Sequence, residues 1–166
     1  MQSFLKVLLQ IKAPLRILEV GTAVGFSTIL MSTYAPKECK IVTIENYEKR
    51  IPIAKENFKK AGKEEQIQLL EGDAKEVLKT LFMDAAKGQY INFLPDVLRI
   101  LKTGGILLSD NVLQDGDIIE SHFAVERRNR TIYKRMRQYL YVLKNHELLE
   151  TSILPLGDGV TLSIKK

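Results

Sequence analysis

The chain has 166 residues, 45% of them hydrophobic, with a formal net charge of +5 at pH 7 and a single cysteine. That apolar content suffices for one core and gives no ground for a second domain, and the lone Cys39 excludes an intramolecular disulfide and reads as a bystander at a strand edge. No apolar run approaches the roughly 20 residues that span a bilayer, and MQSFLKVLLQIKAP reads as the end of a helix rather than a secretion signal, so a soluble, cytoplasmic protein without a membrane partner is expected.

From Met1 to Lys12, Phe4, Val7, Leu8 and Ile11 recur at helical spacing, and Pro14 closes the segment. Ile17, Leu18 and Val20 then form a short apolar run that ends in Gly21, with Gly25 four residues later at the start of a second helix. Strand, tight turn and helix in that order make a cradle. The glycines admit a ligand to the backbone, and a helix beginning near Phe26 offers unpaired N–H groups to an anion. The spacing is G-x-x-x-G, which departs from the dinucleotide fingerprint G-x-G-x-x-G, and an ordinary turn with packing glycines is the alternative.

With Glu19 before the first glycine, the run EVGTAVGFS resembles the first motif of S-adenosylmethionine-dependent methyltransferases. More narrowly it is similar to the cation-dependent O-methyltransferases, the group that includes catechol and caffeoyl-CoA methyltransferases. The resemblance implies that Glu19, Gly21, Thr22, Ala23, Gly25, Phe26 and Ser27 belong to a cofactor-binding turn. Ser27 would contact the methionine carboxylate together with N–H groups of that turn.

Lys40 to Ile44 is the next apolar run, ending in Glu45 and Asn46, and Arg50 to Ala61 has a helical pattern stopped by Gly62. An acid after this strand can accept hydrogen bonds from both hydroxyls of a ribose; an exposed acid at a strand end is the alternative. Ile67 to Leu70 reads as a third strand ending in Glu71-Gly72-Asp73, after which Ala74 to Leu81 begins like a helix. By resemblance Gly72, Asp73 and Ala74 hold the adenine, and Asn46 and Asp84 join the cofactor set.

Tyr90 to Leu101 is expected to be a helix, Ile106 to Ser109 a strand, Ser121 to Asn145 a long helix, and Thr151 to Leu156 and Val160 to Ile164 two strands joined by Gly157-Asp158-Gly159. Alternation of this kind specifies a doubly wound α/β sheet, with the closing hairpin as an antiparallel edge. The family resemblance implies a Rossmann-like methyltransferase fold, a single domain over residues 1–166 with a mostly parallel seven-stranded sheet.

Ligands in such sheets bind beyond the carboxyl ends of the strands. Asp84 and the pair Asp110-Asn111 would stand at two such ends and supply three oxygen ligands without sulfur or imidazole, a set that suits Mg²⁺ or Mn²⁺. An isolated Asp-Asn is otherwise a turn or a helix cap, and His122 and His146 share no ligand spacing. Asp84, Asp110 and Asn111 match the metal-binding positions of the cation-dependent O-methyltransferases, and Lys87 matches their general base; without that context Lys87 would be a surface lysine. Only eleven positions lead from Asp73 to Asp84, too few for a helix, a turn and a central strand of about five or six residues. The short spacing leads us to expect further residues between about Thr80 and Phe82 in the natural chain, and the family resemblance implies a further segment before Met1.

Ser121 to Asn145 holds seven Lys/Arg against Glu126 alone, a local net of +6. In helical projection Arg127, Arg130, Lys134 and Arg137 fall on one side and Ile132, Met136, Leu140 and Leu143 on another, so one face packs and the other can track phosphates or simply be solvated. The run from Asp110 to Lys166 resembles bacterial tRNA 5-hydroxyuridine methyltransferases. This implies transfer to the wobble uridine of a tRNA anticodon stem-loop, with S-adenosylmethionine and Mg²⁺ or Mn²⁺, by an enzyme that forms a homodimer. A small-molecule catechol or caffeoyl-CoA-type enzyme and a non-catalytic RNA-binding protein are the alternatives.

Overall fold

The computed structural model describes residues 2–73, 90–120 and 125–166. The chain divides into two compact units, Met1–Asp84 and Ala85–Lys166.

In the first unit, helix α1 (Gln2–Lys12) leads into strand β1 (Arg16–Val20), followed by α2 (Phe26–Tyr34), β2 (Lys40–Glu45), α3 (Ile51–Lys60) and β3 (Ile67–Glu71). The strands form a parallel sheet in the order β1-β2-β3, as the βαβ alternation requires. Central β2 is buried along most of its length, which explains why KIVTI reads as a continuous run rather than an alternating one. Leu9, Met31, Cys39, Ile41, Ala54, Phe58 and Ile67 form the core that joins helices to sheet. Cys39 is fully buried there, and burial pushes its thiol pKa up, in keeping with a bystander.

In the second unit, α4 (Tyr90–Ile100) precedes β4 (Ile106–Asp110), a 3₁₀ turn over Gln114–Ile119, helix α5 (Arg130–Asn145), β5 (Leu149–Leu154) and β6 (Val160–Lys165). Here the order is β4-β6-β5 and both pairings are antiparallel. The expected hairpin of β5 and β6 is present and forms the antiparallel edge, with β6 pairing to β4 and β5 outermost. The α/β class and the parallel sheet agree with expectation. The described residues hold six strands in two three-stranded sheets rather than the seven expected in one.

Helix α5 starts at Arg130, nine residues later than the basic run from Ser121 suggested. Val125 is buried in the core, and the next residues turn sharply, with the Asn129 N–H donating to the Glu126 carbonyl at 2.8 Å. Asn129 Nδ2 also donates to Asp117 at 3.0 Å, and the Arg130 Nε–H to the Val125 carbonyl at 3.1 Å, so side chains fix the helix start. From there the expected apolar face holds: Met136, Leu140 and Leu143 are buried and Ile132 is half-buried. Met136, Leu140 and Leu143 pack with Leu94 and Leu98 of α4 and with Val112, Ile118 and Leu149. Among the described residues no helix is long and apolar enough to cross a membrane.

Candidate functional site

The parallel register sets Val20 beside Ile44 and Glu45 beside Glu71, so Gly21, Glu45 and Gly72 leave the sheet at one edge. The structure thus brings together the cradle, the acid and the Gly72-Asp73 pair that the sequence singled out. Gly21 and Gly25 both have φ +87°, a region open to glycine at little cost. The loop is tied down from beneath: the Gly21 and Thr22 N–H groups donate to the Ile44 carbonyl at 2.9 and 3.1 Å, and the Gly25 N–H to the Thr22 carbonyl at 2.8 Å.

Glu45 is 6% exposed and completes this framework. Its Oε2 accepts the Ala23 N–H at 2.7 Å, and its Oε1 accepts the N–H groups of Asn46 and Tyr47 at 3.1 and 2.9 Å. Since a carboxylate has about four acceptor positions, three are already filled from the chain itself. The backbone closes the edge too, with the Gly72 N–H donating to the Glu45 carbonyl at 2.9 Å. Four amides of the cradle, those of Gly21, Thr22, Ala23 and Gly25, are therefore committed internally. What the cradle leaves open to an anion is the first turn of α2, where helical N–H groups have no partner within the helix.

Glu19 plays a part that motif reading did not reveal. Its carboxylate accepts the hydroxyls of Ser27 and Thr28, and that of Thr43 at 2.6 Å. Thr43 in turn lies 2.6 Å from the Thr22 hydroxyl. With Thr43 donating to Glu19, Thr22 must donate to Thr43. Glu19 thereby clamps strand β2, the cradle and α2 to one another. Ser27, expected to meet a ligand carboxylate, has its hydroxyl proton directed to Glu19. The available signal was Thr43, a polar residue inside an apolar run and paired in register with Glu19.

Burial raises the Glu19 pKa above its ordinary 4.5 despite three hydroxyl donors that lower it. A carboxyl whose folded pKa is raised contributes stability that is complete below the unfolded value and is lost as pH rises through the folded value. Glu19→Gln, which has no charge to bury, is therefore expected to gain thermal stability relative to the unmodified chain as pH rises from below 4.5 upward. Parallel melting curves across that range check it, and a pH-independent difference would remove the buried charge from the account.

In the second unit, Asp110 ends β4 and Asn111 follows with φ +55°, a left-handed conformation that asparagine tolerates better than most side chains. Asp110 Oδ1 accepts the Asn111 N–H at 2.8 Å, and the Asn111 carbonyl accepts Gln114 Nε2 at 2.9 Å. The next two amides, Val112 and Leu113, donate to the carbonyls of Gly159 and Asp158 in the β5–β6 turn. From the other side the Tyr90 hydroxyl donates to the Asp110 carbonyl at 3.2 Å. Tyr90 stacks on Tyr139, whose hydroxyl lies 2.6 Å from Ser109 Oγ and whose pKa burial pushes up to about 12. An aromatic pair thus braces the end of β4 where the two candidate ligands stand.

Ala74, Asp84 and Lys87 lie outside the described residues, as does the expected gap near Thr80 to Phe82. Among the described residues no group of three His, Cys, Asp or Glu could hold a metal ion. Asp110 and Asn111 supply hard oxygen donors of the kind a divalent cation such as Mg²⁺ takes, and among the described residues Asp110 Oδ2 and the Asn111 side chain carry no hydrogen bond. Of the basic residues, Arg127 lies in the turn before α5, while Arg130, Lys134 and Arg137 share a helix face. Arg137 Nη1 donates to the Tyr133 hydroxyl at 2.7 Å, and its guanidinium stands 5.4 Å from that ring's centroid.

A family profile described as O-methyltransferase matches residues 1–166. The chain belongs to the O-methyltransferase family. A catechol O-methyltransferase of Niastella koreensis is 29% identical over 179 residues, covering 98% of this chain and 79% of that protein. Caffeoyl-CoA O-methyltransferase 2 of Populus trichocarpa is 30% identical, with 96% and 70% covered. Among solved structures, a methyltransferase of Podospora anserina with S-adenosylhomocysteine (SAH) bound superposes with a TM-score of 0.87 at 28% identity, over 99% of this chain and 77% of that one. By family the protein is an S-adenosylmethionine-dependent O-methyltransferase of the catechol and caffeoyl-CoA type. In this O-methyltransferase the glycine turn, Glu45 and the Gly72-Asp73 pair occupy one edge of the parallel sheet, where ligands of doubly wound folds bind.

Proposed function

We propose that this O-methyltransferase methylates the 5-hydroxyl of 5-hydroxyuridine at the wobble position of tRNA, giving 5-methoxyuridine. The observation that carries this reading is helix α5, whose sixteen residues RTIYKRMRQYLYVLKN contain five Lys/Arg and no acid. A helix with one buried face and one cationic face suits a phosphate backbone better than a small neutral phenol.

Asp84, Asp110 and Asn111 would hold Mg²⁺ or Mn²⁺, and Lys87 would take the acceptor's hydroxyl proton. S-adenosylmethionine supplies a methyl on a sulfonium, already activated, so the chain has mainly to bind, orient and deprotonate. A divalent cation supplies positive charge that favours an ionised acceptor oxygen and lowers the pKa of a neighbouring ammonium. Glu45 has one acceptor position left for a ribose hydroxyl, and the first turn of α2 meets the methionine carboxylate. The braced Asp110-Asn111 corner keeps its oxygens in place without a side-chain rearrangement.

A small-molecule acceptor is the second reading, favoured by the catechol and caffeoyl-CoA names of the relatives. A 5-hydroxyl beside a uracil carbonyl presents two adjacent oxygens, as a catechol does, so one site could serve either. Labelled S-adenosylmethionine offered with and without Mg²⁺ to tRNA bearing 5-hydroxyuridine, and in parallel to catechol, separates them. Metal-dependent labelling much stronger on the tRNA is expected; labelling of the catechol alone would overturn the RNA reading. A homodimer is proposed as well, and sedimentation at micromolar concentration checks it.

A further inference from the structure

We infer that the RNA strand is held along one stripe of α5 with a base stacked on Tyr141; this rests on the RNA reading above. At 3.6 residues per turn, Arg130, Lys134, Arg137, Tyr141 and Lys144 fall within one narrow sector of the helix, four cations with an aromatic ring among them. From Arg130 to Lys144 the stripe runs about 21 Å at 1.5 Å per residue, enough to follow several nucleotides.

Tyr141 differs from the other tyrosines of the helix. Tyr133 and Tyr139 are 5% and 2% exposed, whereas Tyr141 is 71% exposed. An aromatic ring left in solvent while its two helix-mates are buried is not needed by the core. Tyr141 helps line a groove of about 410 Å³ that also takes in Leu113, Ile118, Leu140, Ile153, Arg137 and Lys144, with no acid in its lining among the described residues. Both cations are pre-set: Arg137 by the Tyr133 hydroxyl and ring, Lys144 by a 3.1 Å bond to the Thr151 carbonyl.

Apolar lining, exposed ring and cations are the parts of a single-strand nucleic-acid site: the ring and apolar lining take an unpaired base, and the cations take the phosphates on either side. Charge complementarity selects this occupant over a second copy of the chain, because α5 meeting α5 would oppose cation to cation. The stripe extends the sequence-derived set, keeping Arg130, Lys134 and Arg137 and adding Tyr141 and Lys144. Arg127, before the helix, is not part of it.

The test is binding of a fluorescent stem-loop RNA with an unmodified uridine in its loop, so that affinity is read apart from methyl transfer. Tyr141→Ala should weaken binding roughly 5- to 150-fold, the range of one lost base stack. Tyr141→Phe should bind within about twofold of the unmodified chain, since the ring and not the hydroxyl stacks. Lys144→Ala should lower the slope of log affinity against log salt by about one phosphate contact. Equal binding by Tyr141→Ala and the unmodified chain, with 5-hydroxyuridine still methylated, overturns the stripe alone. Failure of the unmodified chain to bind or methylate RNA overturns the RNA reading and the stripe with it. A shift from dimer to monomer on Tyr141→Ala assigns the face to a second copy and likewise overturns the inference.

Discussion

Gly25→Ala is expected to lower the melting temperature of this enzyme by roughly 5–15 °C and to weaken SAH binding more than tenfold, on a cost of about 2–5 kcal/mol. Two effects add at this position. Gly25 has φ +87°, where an L side chain is strained. A Cβ there would also lie 2.5 Å from Phe58 Cε1, and Phe58 is 4% exposed inside the first unit's core. The ring has nowhere to move without opening that core. Gly21→Ala separates the two effects, because Gly21 has the same φ but nothing within 4 Å of its would-be Cβ. Its stability should fall by only about 1–2 kcal/mol. Thermal melts of both variants, with calorimetric titration of SAH, decide the matter. Equal destabilisation of the two would remove Phe58 from the explanation.

Asp110→Ala is expected to lower metal-dependent methyl transfer by roughly 10²- to 10³-fold, about 3–4 kcal/mol of lost charge stabilisation, while the fold persists. The fold should persist because, among the described residues, the side-chain bond made by Asp110 is a local one to the Asn111 N–H, and its backbone is held independently by β6 and Tyr90. Asp110→Asn is the informative partner variant. It keeps an oxygen for the Asn111 N–H but carries no charge. If Asp110 serves the cation, both variants should need much more Mg²⁺ for half-maximal rate. Full activity of Asp110→Asn at every Mg²⁺ concentration would show that the residue only shapes the turn.

The sequence by itself determined the local elements and which residue types stand at the strand ends. Apolar runs closed by glycine or acid marked β1 to β3, and the three-and-four spacing of Met136, Leu140 and Leu143 marked the buried side of α5, because periodicity is a property of neighbouring residues. The cradle at Gly21 and Gly25, Glu45, and the Asp110-Asn111 corner were legible for the same reason: each is a residue type at a strand end.

Which groups partner one another was decided by the tertiary structure alone. Ser27 was legible as a hydroxyl beside a glycine turn, but its pairing with Glu19 depends on β1 and β2 lying in register so that Glu19 stands opposite Thr43. The same holds for the amides of Gly21, Thr22 and Ala23, which donate to Ile44 and Glu45 on a strand about twenty residues away. The start of α5 at Arg130 was hidden because the residues before it share its basic composition, and only the burial of Val125 and the Asn129–Asp117 bond end the turn there. The place of β6 between β4 and β5 was hidden because a strand's pattern shows which face is buried but not which neighbour satisfies its backbone N–H and C=O groups.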